Sequence, residues 1–282
     1  MKPQVHEHQS LMLKHVSKKL IVLLLLLSSA VLNAQFAKKY YHPNGKVSSE
    51  GMLDQQGNPT GLWVYYHENG SRKMMGSYDA GLATAEWFYW DQFGRLEKKG
   101  FYKSNKLDSC WYFFDAEGRL ARLCYYKNDI EDGLFAEFWN DTLKKEAGMY
   151  RAGKKEGSWK KWYPSGKIKE DVEYSQGAMH GNYRMWHENG QLQAEGKVEN
   201  DKAEGKWIFY NADGKKNSEG SYSRGEWNGE WTGYHANGKV SSTGCYKNGM
   251  KVKKWKYFGE DGKLDRKEIY RDAKLFKEII YA

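Results

Sequence analysis

Large aromatic and polar residues alternate along this chain in blocks that recur every 24 positions. Each block is marked by an aromatic anchor: Trp63, Trp87, Trp111, Phe135, Trp159, Tyr183, Trp207, Trp231 and Trp255. Six of the nine have a glycine two residues earlier, as in Gly61-Leu62-Trp63. A second aromatic follows three residues after each anchor, at Tyr66, Trp90, Phe114, Phe138, Trp162, Trp186, Tyr210, Tyr234 and Phe258. A fixed period of this length marks a repeat array, in which no unit buries its apolar face alone.

Two turn signals divide each unit into two short strands. The first carries Asn69-Gly70, Glu117-Gly118, Ser165-Gly166, Asn189-Gly190, Asp213-Gly214, Asn237-Gly238 and Asp261-Gly262. The second carries Gly81, Gly153, Gly177, Gly225 and Gly249, with Asn105, Asp129 and Asp201 in the same place elsewhere. Asn-Gly and Asp-Gly favour a two-residue type I′ turn, which needs positive φ at both centres. The fold expected is therefore all-β, an elongated single-layer antiparallel meander of 24-residue β-hairpins.

A two-residue loop at Asn69-Gly70 sets the register, placing Trp63 opposite Gly76 and Tyr78 opposite Gly61. The same arithmetic pairs Trp207 with Gly220 and Tyr222 with Gly205. Each ring is then expected to cover the glycine that faces it, which would give both glycines a packing role. Anchors and the aromatics three residues on point to opposite faces of the pleat. The anchors Trp63, Trp87, Trp111, Trp159, Trp207, Trp231 and Trp255 read as structural staples. The second stripe, above all Trp90, Trp162, Trp186 and Tyr210, reads as the candidate partner-binding surface.

Composition agrees with thin aromatic β structure: 12 Trp, 21 Tyr, 30 Gly, 4 Pro and a mean hydropathy of -0.89. The net charge is +9, part of it in the first 34 residues, where Lys2, Lys14, Lys18 and Lys19 outnumber Glu7. Over the repeats Lys and Glu alternate without a basic run, which argues against nucleic acid. Leu20–Leu32 is an apolar stretch behind three lysines and ends in small residues, the pattern of a secretory signal peptide over residues 1–34. Export to the periplasm, outer surface or medium follows as an expectation. Residues 35–282 form the array, with 263–282 as a C-terminal capping hairpin that has lost the glycines.

Three cysteines remain, and the register places Cys110 opposite Tyr125 and Cys124 opposite Trp111, on different faces, so free thiols are expected. His42, His67, His187 and His235 share one pre-turn position, but Asp91, Asp115, Trp139, Tyr163 and Asn211 fill it in other units. A tolerant polar slot explains that row better than a metal does, and His180 has no third ligand near it. No nucleophile–base pair or phosphate loop stands out. The expectation is a protein without catalytic residues, cofactor or metal.

Gly-x-Trp-x-x-aromatic, then Asn-Gly-Lys, then Gly-x-Tyr resembles the bacterial variant of the MORN repeat. The cleanest copies are Gly157–Tyr174, Gly181–Val198 and Gly205–Tyr222, within a resemblance that spans roughly residues 40–270. Many bacterial chains of this pattern resemble the YwqK-type antitoxins, which implies binding and neutralising a partner protein. The hairpins also resemble the cell-wall-binding repeats of secreted enzymes, whose stacked rings suit sugars or quaternary ammonium. Another protein is the first partner expected, with an envelope glycan or lipid as the alternative.

Overall fold

The structure is a computed structural model that describes residues 35–281; the expected signal peptide lies outside the described residues. Twenty-one strands form one antiparallel sheet in which each strand pairs with its neighbours in sequence. The array opens with β1 (Phe36–Tyr41), β2 (Val47–Leu53), β3 (Pro59–Tyr66), β4 (Arg72–Asp79) and β5 (Leu82–Trp90). It continues through β6 (Leu96–Lys103), β7 (Lys106–Phe114), β8 (Leu120–Lys127), β9 (Ile130–Phe138) and β10 (Lys144–Arg151). The next six are β11 (Lys154–Trp162), β12 (Ile168–Ser175), β13 (Ala178–Trp186), β14 (Leu192–Glu199), β15 (Lys202–Tyr210) and β16 (Lys216–Ser223). The last five are β17 (Glu226–Tyr234), β18 (Val240–Lys247), β19 (Met250–Phe258), β20 (Leu264–Arg271) and β21 (Lys274–Ile280).

The expected register holds: Trp63 pairs with Gly76, Gly61 with Tyr78, Trp207 with Gly220 and Gly205 with Tyr222. The turn that produces it is different. His67 N–H donates to Ser71 O and Gly70 N–H to His67 O, so the loop has three residues, Glu68-Asn69-Gly70. Only Gly70 has positive φ (92°). This is a type I turn closed by a left-handed glycine, not a type I′ turn. The longer loop displaces the pairing by one, and a bulge at Lys73 restores it, so Tyr65 meets Met74. The type I′ geometry sits instead at the second turn, where Ala80 and Gly81 have φ of 44° and 80° and Asp79 pairs with Leu82. Asn105, Asp129 and Asp201 adopt the same left-handed backbone there.

The covering of glycines also differs. A Cβ on Gly76 would overlap the indole of Trp87, and one on Gly51 would overlap Trp63. Each of these tryptophans thus lies on the glycine of the strand before it, not on the glycine that faces it across its own hairpin. The cause is a bulge. Between the pairs Met75–Phe88 and Ser77–Thr84, Gly76 alone opposes Ala85, Glu86 and Trp87, and the extra length turns the indole over the glycine. Gly100, Gly148, Gly196 and Gly244 lie likewise under Trp111, Trp159, Trp207 and Trp255. The indole N–H of Trp63, Trp111, Trp159, Trp207 and Trp255 donates to the carbonyl just after the covered glycine, at 2.9–3.2 Å.

The first glycine of Gly-x-Trp therefore has a conformational role, not a packing one. Gly61 has φ of +62° at the bulge, and a Cβ there would meet nothing within 4 Å. Ala85, Ser109 and Lys253 occupy the same bend with φ of 58°, 57° and 60°, at the strain that a side chain brings to this region.

Six of the seven tryptophan anchors are at most 7% exposed, although the sheet has a single layer. Tyrosines complete the cover. Tyr78 stands edge-on to Trp87 at 5.0 Å, Tyr102 to Trp111 at 5.1 Å and Tyr150 to Trp159 at 5.0 Å. Aromatics two residues after the anchors join this ladder: Tyr65 and Tyr89 bond through their hydroxyls to Tyr78 and Tyr102. Trp231 is the half-buried exception, because Trp227 stacks on Tyr222 at 3.8 Å and takes part of its place. At the C-terminal end β20 and β21 continue the same sheet, and the last strand leaves Leu275, Phe276 and Ile280 exposed.

Candidate functional site

Alternation along the strands leaves a second face, opposite the tryptophan ladder. It carries three rows: residues one before each anchor, one after it, and three after it. The last row is the expected stripe. Tyr66, Trp90, Phe114, Phe138, Trp162, Trp186, Tyr210, Tyr234 and Phe258 are all half-buried, and all lie near the first-turn edge. Their surroundings repeat as regularly as they do. Tyr66, Tyr210 and Tyr234 donate to Glu50, Glu195 and Glu219 on the adjacent strand, Trp90 stacks on Phe88 at 5.9 Å, and Lys144 lies over Trp162 at 5.9 Å. Hydrogen bonds from Tyr234, Lys206 and Lys216 hold the Glu219 carboxyl down to about 2.

The backbone of the same row is used as well. His42, His67, His187 and His235 place Nε2 at 2.7–3.0 Å from the carbonyls of Tyr66, Trp90, Tyr210 and Phe258, one unit later. A carbonyl only accepts, so Nε2 carries the proton and donates. Trp139 Nε1 and Tyr163 hydroxyl make the same bond to Trp162 and Trp186. Asn44, Asn69, Asn189 and Asn237 add side-chain N–H bonds to the next turn. The histidine row is thus a set of lateral ties between turns, and Trp139 and Tyr163 serve as donors in the same slot. Where it holds Asp91, the carboxylate accepts from Arg95, whose guanidinium donates to Ala116 O in the next turn.

The two other rows do not repeat, and sequence periodicity passed over them for that reason. From β3 to β10 they are mostly apolar: Leu62, Val64, Met75, Phe88, Phe101, Tyr112, Leu123, Tyr125, Leu134, Ala136 and Met149, with Cys110 among them and Ser77, Glu86 and Lys99 as polar exceptions. From β11 to β16 the same rows hold Lys160, Asp171, Glu173, Arg184, Glu195, Lys197, Lys206 and Glu219. Register confirms the alignment, with Phe88 opposite Lys99, Tyr112 opposite Leu123 and Leu134 opposite Met149 in one zone, then Lys160 opposite Asp171 and Arg184 opposite Glu195 in the other. Leu62, Phe101, Tyr125, Leu134 and Met149 are 37–55% exposed. Among the described residues, every other large apolar side chain this exposed sits at a turn or on a terminal strand.

In the charged zone Ser158, Asp171, Glu173, Asn182 and Arg184 line a shallow hollow. Its carboxylates are engaged: Asp171 accepts from Ser158 and Lys160, and Glu173 from the amide and side chain of Asn182. The three cysteines are free thiols. Cys110 pairs with Tyr125 and Cys124 with Trp111, as the register requires. Burial raises both thiols, that of Cys124 to about 12.

With this geometry the repeats can be compared with known ones. The MORN repeat variant matches residues 37–54, 59–80, 155–176, 179–200, 203–224 and 227–248. The chain carries MORN-variant repeats. The units between residues 80 and 155 are where the apolar zone is concentrated, between two blocks of matched repeats. No curated protein matches the chain. Among solved structures it is similar to the crystal structure of TcdB2-TccC3, at 11% identity over 86% of this chain and 16% of that one, with a TM-score of 0.20. A Photorhabdus luminescens Tc holotoxin pore aligns at 10% identity over 85% of this chain and 14% of that one, also at 0.20. The chain thus spans about a sixth of those chains, and scores this low carry no argument about fold or function.

Proposed function

We propose that this MORN-variant array is a non-catalytic, exported scaffold that holds another protein along the face opposite its tryptophan ladder. The observation that carries the reading is the contrast between rows on one sheet. The ladder, bulges, turn ties and aromatic stripe recur unit after unit, as structural positions must. Only the rows flanking each anchor on the far face change character, from apolar in β3–β10 to charged in β11–β16. Positions relieved of a structural task are where recognition is written, as on other repeat arrays. Antitoxin-like neutralisation of a partner protein in the envelope is one use such a surface serves.

A glycan or lipid partner has less support. The rings of the stripe are half-buried and engaged with neighbouring side chains, which leaves few open faces for sugar stacking. Asp108 and Glu156, opposite Phe101 and Met149, border the apolar zone with negative charge and disfavour an anionic bilayer.

Photo-crosslinking in producing cells tests the proposal. A photoreactive residue replacing Arg184 or Lys197 on the far face is expected to capture a discrete partner. The same residue at Lys98 or Lys161, on the ladder face, is expected to capture none. Equal capture from both faces, or none from either, would count against the scaffold.

A further inference from the structure

The apolar zone of β3–β10 differs from the charged zone in size, shape and electrostatics. It spans eight strands, about 34 Å at ~4.8 Å per strand, and about 14 Å along the strands from Leu62 to Tyr66. That makes roughly 480 Å² of largely apolar surface, within the range of the largest patches that monomers usually expose. Its centre holds one acid and one base, Glu86 and Lys99. They pair with each other at 3.4 Å, and Lys99 lies over the rings of Phe88 and Tyr112 at 5.7 and 5.3 Å. Covering the zone would therefore leave no unpaired charge from this pair.

We infer that this zone seats a second copy of the chain, face to face, about a twofold axis. The inference rests on the far face being the interaction surface and adds who occupies its apolar half. A pleated surface is complemented well by another, since sheets stack about 10 Å apart with interdigitating side chains. A second copy brings an identical apolar face, so one patch is both halves of an isologous interface. Two such patches bury roughly 950 Å² together, just below the usual lower limit of a stable interface and in the range of weak, reversible dimers. Leu134 and Met149 protrude most in the half nearer the charged zone, and Leu62 and Phe101 in the other half, and the four become its anchors. The charged zones of β11–β16 remain outside this contact on both copies, available to the scaffolded partner.

Sedimentation velocity of the purified protein, from roughly 1 to 100 µM where weak interfaces of this size dissociate, reads the inference directly. A reversible monomer–dimer equilibrium is expected. Leu134→Glu with Phe101→Glu, both at exposed positions, should weaken dimerisation at least tenfold while far-UV circular dichroism stays unchanged. Leu62→Glu, at the far end of the zone, should give the same direction of shift independently. Arg184→Glu should leave the dimer intact. A monomer across the whole range, or a dimer indifferent to the substitutions at Leu134, Phe101 and Leu62, would overturn the inference. A monomer that still crosslinks through Arg184 would remove the dimer and leave the scaffold standing.

Discussion

The indole of Trp87 lies on the backbone of Gly76, one strand earlier, in the space that a Cβ would occupy. The relationship adjusts itself within the chain. Where the covered position is Cys124 the anchor is Phe135, and where it is Val172 the anchor is Tyr183. Wherever a tryptophan anchor stands, a glycine lies at the covered position. Volume added to the floor is removed from the lid, as close packing demands. The last covered position holds Glu268, which no further anchor overlies. Burial alone would raise its carboxyl, but hydrogen bonds from Tyr257 and Tyr270, with Lys251 and Arg266 nearby, hold it below the usual range.

The two glycines of a unit should respond differently to alanine. Gly76→Ala displaces a buried indole and is expected to cost about 1–3 kcal/mol, as overpacking does. Gly61→Ala meets open space and should cost about 1 kcal/mol, from its left-handed backbone alone. Urea denaturation of the two variants measures the difference, and equal costs would contradict the assignment of roles.

The exchange between floor and lid predicts a coupling. Phe135→Trp should destabilise the protein while Cys124 remains beneath it, and Cys124→Gly should destabilise it by opening a void. Together they recreate the Gly76–Trp87 pair, so the double variant is expected to be more stable than the sum of the singles by about 1–3 kcal/mol. Additive singles would show that the ring and the floor do not touch.

The turn ties predict which substitutions the histidine slot accepts. His187→Ala removes the donor to Tyr210 O and should cost about 1 kcal/mol, the usual worth of such a bond. His187→Tyr should be near neutral, since Tyr163 makes the same bond in a neighbouring unit. Thermal melts of both variants, with and without zinc, check this; a zinc-dependent rise in Tm lost in His187→Ala would show a ligand role instead.

Acid should loosen the array partly through Glu219. Its folded carboxyl titrates at about 2 against an ordinary value of 4.5. A depressed folded value stabilises the protein fully above the unfolded value, and that contribution disappears as pH falls from about 4.5 toward 2. Urea midpoints between pH 6 and pH 2.5 should therefore fall less steeply for Glu219→Gln than for the parent protein.

Period and register were legible in the sequence because they rest on residues that recur without slip. Trp63, Gly76 and Tyr78 place the pairs correctly even though the turn beside them is a three-residue loop and not the two-residue turn that Asn69-Gly70 suggests. A three-residue loop and a one-residue bulge displace the register in opposite senses, so the pairs from Tyr65 inward come out the same. The bulge that tilts Trp87 onto Gly76 was hidden, because it depends on left-handed backbone that Ala85 adopts as well as Gly61. The far-face zones were hidden for the opposite reason. Leu134 and Arg184 occupy neighbouring rows of equivalent strands, yet share no property that a periodic reading would register.

On the proposed function, the non-repeating rows, and not the repeating ones, hold the partner. Lys160 with Asp171, and Arg184 with Glu195, are exposed or partly exposed ion pairs. Their removal in pairs leaves no lone charge but also takes the acceptor from the Tyr210 hydroxyl, and should cost about 1–2 kcal/mol. The most direct test is partner capture by a variant in which these four residues are serine, with melting followed on the same samples. If the proposal holds, capture falls at least tenfold while Tm stays within a few degrees of the parent protein. Undiminished capture would contradict it, as would a loss of capture that appears only where the fold is lost too.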